Sequence, residues 1–125
     1  IETNPFYQRA VENELMHTHG VQHESWAPFA EGKNNLFENP TLAAVSSQHG
    51  KSVAQVVLRW LVQREIVVIP KTVQADRMAA NMDVFDFELS PQEMAAIADL
   101  DTGKTQFFDH SDPEAVSQLS GVKME

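Results

Sequence analysis

The stretch R-E-I-V-V-I-P-K-T, residues 64–72, decides the fold of this chain. Four branched apolar residues follow one another at positions 66–69 and stop at Pro70, a pattern typical of a strand buried on both faces. Such strands belong to parallel sheets, in which helical crossovers join one strand to the next. The stretch therefore predicts an α/β fold.

Two helices are predicted upstream of this strand. Ser52 and Gln55 have the spacing of a capping box, and apolar residues then recur at positions 53, 56, 57, 60 and 61. Before them, Asn39-Pro40 supplies an N-cap residue and a proline at the first helical position. A helix should therefore run from there to about His49 and end at Gly50.

The first third of the chain predicts a strand fragment, a helix and a second short strand. Residues 1–5 contain strand-like and turn-like residues, so the chain is expected to begin inside a strand. Apolar residues at helical spacing predict a helix over residues 7–19, with Gly20 as its stop. Residues 20–26 lack a helical period and fit a short strand that leads towards the polar, breaker-rich loop 31–35.

Two short helices and a polar tail are predicted downstream. One helix should run from about residue 74 to 81, and Ser90-Pro91-Gln92-Glu93 begins another with a capping box and a proline. Residues 101–125 form the tail, which contains Phe107-Phe108 and a short helix after Asp112-Pro113.

The alternation of strands and helices implies right-handed crossovers and a parallel sheet. Three strands make an incomplete sheet, because a β/α barrel needs eight strands and about 250 residues. The chain would then be the last three units of a barrel, or a small doubly wound domain complete as it stands. A glycine-rich phosphate loop would favour the second, and none of the five glycines forms one.

Composition excludes several classes of function. A formal net charge of -9 argues against binding to nucleic acid, since a polyanion would be repelled. The absence of cysteine excludes disulfides, thiolate metal sites and cysteine nucleophiles. No apolar run approaches the roughly 20 residues that cross a bilayer, so we expect no membrane segment and a cytoplasmic protein.

The strongest group of polar residues follows the buried strand. Lys71 and Thr72 stand at its C-terminal end, where parallel α/β folds bind ligands, and a helix start follows. Arg77, one turn into that helix, could reach the same anion. A phosphate is the natural ligand, although basic residues at a helix start are more often simply solvated.

Separate blocks of sequence occur in a characteristic order. They are IETNP at 1–5, WAPF at 26–29, VAQVVLRW at 53–60 and IPKT at 69–72, followed by Arg77, Asn81 and VFDFEL at 84–89. In this order they resemble the aldo-keto reductase family, most closely its bacterial members similar to diketogulonate reductases. The resemblance implies the C-terminal part, about the last three β/α units, of a (β/α)8 TIM barrel. Residues 1–100 would form the partial barrel domain and residues 101–125 a tail that lines the substrate pocket.

The resemblance also implies roles in binding NADP(H). Trp26 matches the aromatic residue that stacks on the nicotinamide, although an ordinary core aromatic is the alternative. Ala27 and Phe29 match the loop over the pyrophosphate. The pocket for the adenosine 2'-phosphate is matched by Lys71, Thr72, Val73 and Arg77, and Asn81 matches a residue that binds the adenine. Ala80 stands where the family usually has an acidic residue.

The family's catalytic Asp, Tyr, Lys and His lie in the first half of the barrel, so no catalytic residue is expected here. The single tyrosine, Tyr7, is assigned a structural role, and the five histidines are not expected to bind metal. The parent protein should reduce a small aldehyde or ketone with NADPH as a monomer. This chain alone should be inactive and prone to self-association through its strand edges. The alternative is a nucleotide-binding interaction or sensor module without significant turnover.

Overall fold

A computed structural model describes residues 1–121 of the chain. Within that range the helices are α1 (Ala10–Thr18), α2 (Pro40–His49), α3 (Val53–Gln63), α4 (Ala75–Met82), α5 (Pro91–Ala98) and α6 (Pro113–Ser120), and the strands are β1 (Glu24–Ser25) and β2 (Val67–Val68). A 3-10 segment covers Ala30–Glu38 but has non-helical backbone at residues 31–35, where the polar loop was predicted. Residues 122–125 of the predicted tail lie outside the described residues.

The helix starts follow from local capping chemistry. The Asn39 side chain accepts hydrogen bonds from the backbone N–H groups of Thr41 and Leu42 at the start of α2. Ser52 and Ser90 each complete a capping box, at the starts of α3 and α5. These predicted caps are therefore confirmed, as is the helix that follows Asp112-Pro113.

A narrow parallel sheet runs through the centre of the chain. β1 pairs with β2 in parallel, with Glu24 opposite Val67. On the other side of β1, Glu2 forms an isolated parallel bridge to Trp26, and the backbone N–H of Thr3 donates to the Trp26 carbonyl over 3.3 Å. The predicted parallel arrangement is confirmed, with a single bridge in place of the first strand.

The core forms around α3. Its buried face holds Val56, Val57, Trp60 and Leu61, and these side chains belong to one cluster with residues of α2 and α5. The cluster also contains Ile66, directly before β2. Helix α3 therefore positions the start of β2.

The strand over residues 66–69 was predicted to be buried on both faces, and this was wrong. Ile66 is buried, whereas the side chains of Val67 and Ile69 are 46% and 56% exposed. Side chains alternate along a strand, so Ile66 and Val68 face the core while Val67 and Ile69 share the opposite face. That face is open to solvent in this chain.

The predicted start of the first helix at residue 7 was also wrong. The Asn4 side chain accepts hydrogen bonds from the backbone N–H groups of Phe6 and Tyr7, both over 3.1 Å, and this turn keeps residues 4–7 out of the helix. Arg9 then has a left-handed backbone with φ of 52°, and α1 begins at Ala10.

None of the helices in residues 1–121 is long and apolar enough to cross a membrane.

Candidate functional site

A cavity of about 450 Å³ opens beside the end of β2. It is lined by Phe29, Phe37, Ser52, Ala54, Lys71, Thr72, Asp76, Arg77, Ala80 and Asn81. Five of the eight residues singled out in the sequence are in this group: Phe29, Lys71, Thr72, Arg77 and Asn81. The structure thus brings together residues that are up to 52 positions apart, since 81 minus 29 is 52.

The turn after β2 directs Lys71 and Thr72 into the cavity. Thr72 Oγ1 accepts a hydrogen bond from the backbone N–H of Gln74 over 3.1 Å, which shapes the turn into α4. Gln74 is the N-cap residue of α4 but makes no side-chain capping bond. The first-turn N–H groups of α4 therefore remain available to a ligand, and the helix dipole favours an anion there.

The charges around the cavity also favour an anion. Lys71 and Arg77 are exposed, and within residues 1–121 neither of them forms an ion pair. The carboxylate of Asp76 lines the same cavity and offsets one of these positive charges. The remaining positive charge and the start of α4 together suit a phosphate group.

The segment after α4 is fastened by Lys51. Its ammonium lies 3.0 Å from Asp83 Oδ2 and 2.7 Å from Asp86 Oδ1. Hydrogen bonds to Asp86 and then Asp83 raise the pKa of Lys51 above its usual value, so the ammonium stays charged. This contact fixes the chain directly after Asn81 and Met82, and thereby the C-terminal end of α4.

Trp26, Ala27 and Val73 are not among the residues that line this cavity. The Trp26 side chain is 37% exposed and lines a second cavity of about 280 Å³ together with Glu2, Tyr7 and Phe108. Ala27 connects Trp26 to the loop that carries Phe29, and its φ is 52°. Val73 is 90% exposed. The predicted cofactor roles of all eight residues stay predictions.

Sequence reasoning missed four residues that line the first cavity: Phe37, Ser52, Ala54 and Asp76. Ser52 was recognised only as a cap, which is a role visible in its spacing from Gln55. Phe37 comes close to Phe29 because the backbone between them folds back, and the two ring centroids lie 5.8 Å apart. The breaker-rich loop 31–35 indicates a turn between them, but nothing in the sequence shows that this turn brings the two rings together.

Tyr7 and His23 have hydrogen-bonding partners within the chain. The Tyr7 hydroxyl accepts a hydrogen bond from Arg9 Nη1 over 2.9 Å. The buried ring of His23 lies between Asn13 Oδ1 at 2.7 Å and Thr3 Oγ1 at 2.8 Å. Burial, then the nearby N-terminal ammonium, lowers the pKa of His23 to about 4. Across residues 1–121, no group of three or more His, Cys, Asp or Glu side chains is placed to hold a metal ion.

Known proteins resemble this chain in both sequence and structure. Residues 3–102 match the Aldo/keto reductase family. The methylglyoxal reductase DkgA of Escherichia coli K12 is 40% identical over 104 residues, which are 83% of this chain and 38% of that protein. The chain thus spans under two fifths of the length of such curated relatives.

Two solved structures show the same backbone arrangement. An aldo-keto reductase from a Medee basin deep-sea metagenome library is 35% identical, with a TM-score of 0.85 over 89% of this chain and 41% of its own. A mutant of Gox0644 in complex with NADPH is 34% identical, with a TM-score of 0.79 over 91% of this chain and 41% of its own. Because the family match extends over most of the sequence, this chain belongs to the aldo/keto reductase family.

Proposed function

We propose that this chain is the cofactor-binding C-terminal part of an NADP(H)-dependent aldo-keto reductase, which reduces aldehydes or ketones to alcohols by hydride transfer. It corresponds to about the last three β/α units of a (β/α)8 barrel, with the barrel portion over residues 1–100 and the substrate-loop tail over residues 101–125. The observation that carries this proposal is the cavity that collects Lys71, Thr72, Arg77 and Asn81 at the open start of α4.

The residues of the cavity fit the adenosine end of NADP(H). Lys71 and Arg77 form no ion pair among the described residues and, with Asp76 beside them, leave a net positive charge, while the Thr72 hydroxyl adds a donor for the 2'-phosphate. Asn81 carries both an amide donor and an acceptor, which suit the edge of an adenine ring. The rings of Phe29 and Phe37 supply an apolar wall against which the nucleoside can pack.

The loop between the two cavities connects the two ends of the cofactor. Trp26 lines the second cavity, Phe29 lines the first, and Ala27 lies between them in sequence. A dinucleotide with its adenosine end beside Arg77 and its nicotinamide against Trp26 would therefore run along residues 26–29. NADPH is bound in a complex of the related Gox0644, which supports the same ligand for this chain.

The chemistry of the reaction needs groups beyond those in this chain. Bound NADPH supplies a hydride to the carbonyl carbon, and a proton donor must complete the alcohol. The hydroxyl of Tyr7 accepts a hydrogen bond from Arg9. Tyr7 follows the first strand segment, which is not where the family's catalytic tyrosine is expected. We therefore propose that the chain binds and orients the cofactor without catalysing reduction alone, in a cytoplasmic parent that acts as a monomer on small carbonyl compounds.

The second candidate function is a nucleotide-binding interaction or sensor module without significant turnover. It rests on the same cavity, because binding a nucleotide there does not require turnover. The two candidates differ in what the parent protein does with NADPH and a carbonyl compound. Methylglyoxal is the natural first substrate to assay, because it is the named substrate of the related DkgA.

Isothermal titration calorimetry tests the shared claim about the cofactor. The 125-residue chain should bind NADP⁺ at least about tenfold more tightly than NAD⁺, since the extra phosphate gains charge-assisted hydrogen bonds. Equal affinity for both would refute the 2'-phosphate assignment. For the enzyme assignment, a parent protein that binds NADPH but does not oxidise it with methylglyoxal or other simple aldehydes would favour the sensor module.

A further inference from the structure

The tail residues Thr105, Gln106 and Phe107 cross the C-terminal ends of the strands. They contact the first strand segment through Glu2, the end of β1 through Trp26, and the loop 30–38 through Lys33 and Asn34. We call residues 105–107 the strap. Its contacts join three segments that are far apart in sequence.

Glu2 anchors the strap at one end. Its side chain is buried, at 4% exposure, and Oε1 accepts a hydrogen bond from the backbone N–H of Gln106 over 2.9 Å. The other carboxylate oxygen accepts from the Thr105 hydroxyl, and Asn4 Nδ2 donates to Oε1 over 3.3 Å. A buried carboxylate with three donors is a firm attachment point, because moving the strap would leave its charge unpaired.

Lys33 and Asn34 attach the loop to the same strap. Lys33 Nζ donates to the Gln106 carbonyl over 3.1 Å and lies 3.9 Å from the centroid of the Phe107 ring. Asn34 Nδ2 donates to the side-chain oxygen of Gln106. Among the described residues, these are the side-chain hydrogen bonds that residues 31–35 make, and all of them go to Gln106.

The loop needs such an attachment because its backbone is strained. Glu31 has a φ of 52°, in the left-handed region that residues other than glycine and asparagine disfavour, while Asn34 and Asn35 occupy the same region at less cost. Ala27 and Ala30 have the same handedness. Ala30 and Leu36 are buried in the core on either side, whereas residues 31–35 between them are largely exposed and pack little against it. A strained, exposed segment persists only where surrounding contacts hold it.

We propose that Lys33 and Gln106 are positioning residues that hold residues 31–35 beside the nucleotide cavity, so that opening this part of the loop and releasing the tail are a single movement. Phe29 and Phe37 on the loop side line the cavity, while Phe107 of the strap lies 5.2 Å from the Trp26 ring. Given the proposed function, separating this linkage moves Phe37 and Phe107 away from the two cavities and so speeds the departure of the dinucleotide. Release of the cofactor is thereby coupled to movement of the tail, which is expected to line the substrate pocket.

Hydrogen exchange on the 125-residue chain without nucleotide tests the attachment itself. The Ala30 and Gly32 N–H groups donate to Ala27 and Phe29 carbonyls within the loop, so their exchange reports its opening. Lys33→Met and Phe107→Ala should each raise their exchange rates about tenfold, as loss of one charged hydrogen bond or cation–π contact would. Lys104→Met is the matched control for Lys33→Met and should leave the rates unchanged, because the hydrogen bonds that join Lys104 to Thr102 and Gln106 use its backbone atoms. Equal exchange in Lys33→Met and Lys104→Met overturns the proposal.

Stopped-flow dissociation of NADP⁺ from Lys33→Met and Lys104→Met tests the link between loop opening and cofactor release. Lys33→Met should speed dissociation about tenfold relative to Lys104→Met. Faster exchange with unchanged dissociation would overturn the link between loop opening and cofactor release. If the chain binds no NADP⁺ at all, the proposed function fails and so does the coupling, whereas the exchange rates still decide separately whether Lys33 holds the loop.

Discussion

The side chain of Gln55 in α3 donates a hydrogen bond to the backbone carbonyl of Ala80 in α4, over 3.1 Å. The same amide nitrogen donates to the Asp83 carbonyl, also over 3.1 Å, while Gln55 Oε1 accepts from the Ser52 N–H as part of the capping box. One side chain therefore caps α3 and fixes the last turn of α4. Because Arg77 and Asn81 project from α4, this contact sets their position at the cavity.

Replacing Gln55 by glutamate separates these two roles. The carboxylate can still accept from Ser52, but it faces the Ala80 and Asp83 carbonyls without a proton to donate. We expect Gln55→Glu to lower the free energy of unfolding by about 1 to 3 kcal/mol, measured by urea denaturation. Gln48→Glu, an exposed site on α2, is the control and should change stability by less than about 0.5 kcal/mol. Similar values for both variants would show that the contact with α4 contributes nothing.

Arg77→Met should discriminate between the two nicotinamide cofactors. Removing the guanidinium should weaken NADP⁺ binding by roughly 1 to 3 kcal/mol and leave NAD⁺ nearly unchanged, since only the former carries a 2'-phosphate. Calorimetry on the variant and on Lys104→Met measures both constants. An equal loss for NADP⁺ and NAD⁺ would mean that Arg77 supports the fold and does not bind the 2'-phosphate.

His23 should make stability depend on pH. Its folded pKa, about 4, lies below the ordinary value of 6.5, so the unfolded chain binds the proton more readily between these values. The contribution of neutral His23 to the free energy of unfolding is therefore complete above pH 6.5 and is lost as the pH falls towards 4. Urea unfolding across this range should give a shallower pH dependence for His23→Gln than for the exposed His19→Gln. Parallel curves for the two variants would assign the effect to other groups.

The open face beside β2 should lead to self-association. Within residues 1–121, β2 pairs with β1 alone, and the exposed Val67 and Ile69 lie beside its free edge. We expect the sedimentation coefficient to rise with protein concentration, and Val67→Lys to suppress that rise, because charged side chains protect strand edges. Val11→Lys, at an 80% exposed site on α1, should not suppress it. A monodisperse monomer at all concentrations contradicts this prediction.

The sequence predicted those parts of the fold that depend on local chemistry. The caps at Asn39, Ser52 and Ser90 occur as expected, since each needs only residues within three positions. The exposure of Val67 and Ile69 could not be predicted in the same way, because it depends on which elements cover the strand. The late start of α1 depends on a turn at Asn4 that competes with the helix, and periodicity does not detect it.

For the site, the sequence singled out Lys71 and Arg77 but not all of the other residues that line the cavity with them. Phe37 and Asp76 line the same cavity without any local signal that would single them out. The strap could not be foreseen either, since Glu2 and Gln106 are separated by 104 positions. Such contacts arise from the tertiary fold, and a single sequence contains no periodic pattern for them.

Nuclear magnetic resonance titration of the isotope-labelled chain tests the central claim most directly, by comparing NADP⁺ with 2',5'-ADP. Both ligands should shift the backbone resonances of Thr72, Arg77 and Asn81, whereas only NADP⁺, which carries the nicotinamide, should also shift the indole N–H of Trp26. This result would show one dinucleotide extending from the cavity beside α4 to the end of β1. Shifts confined to other residues, or a Trp26 response without any response at Thr72 and Arg77, would contradict the account.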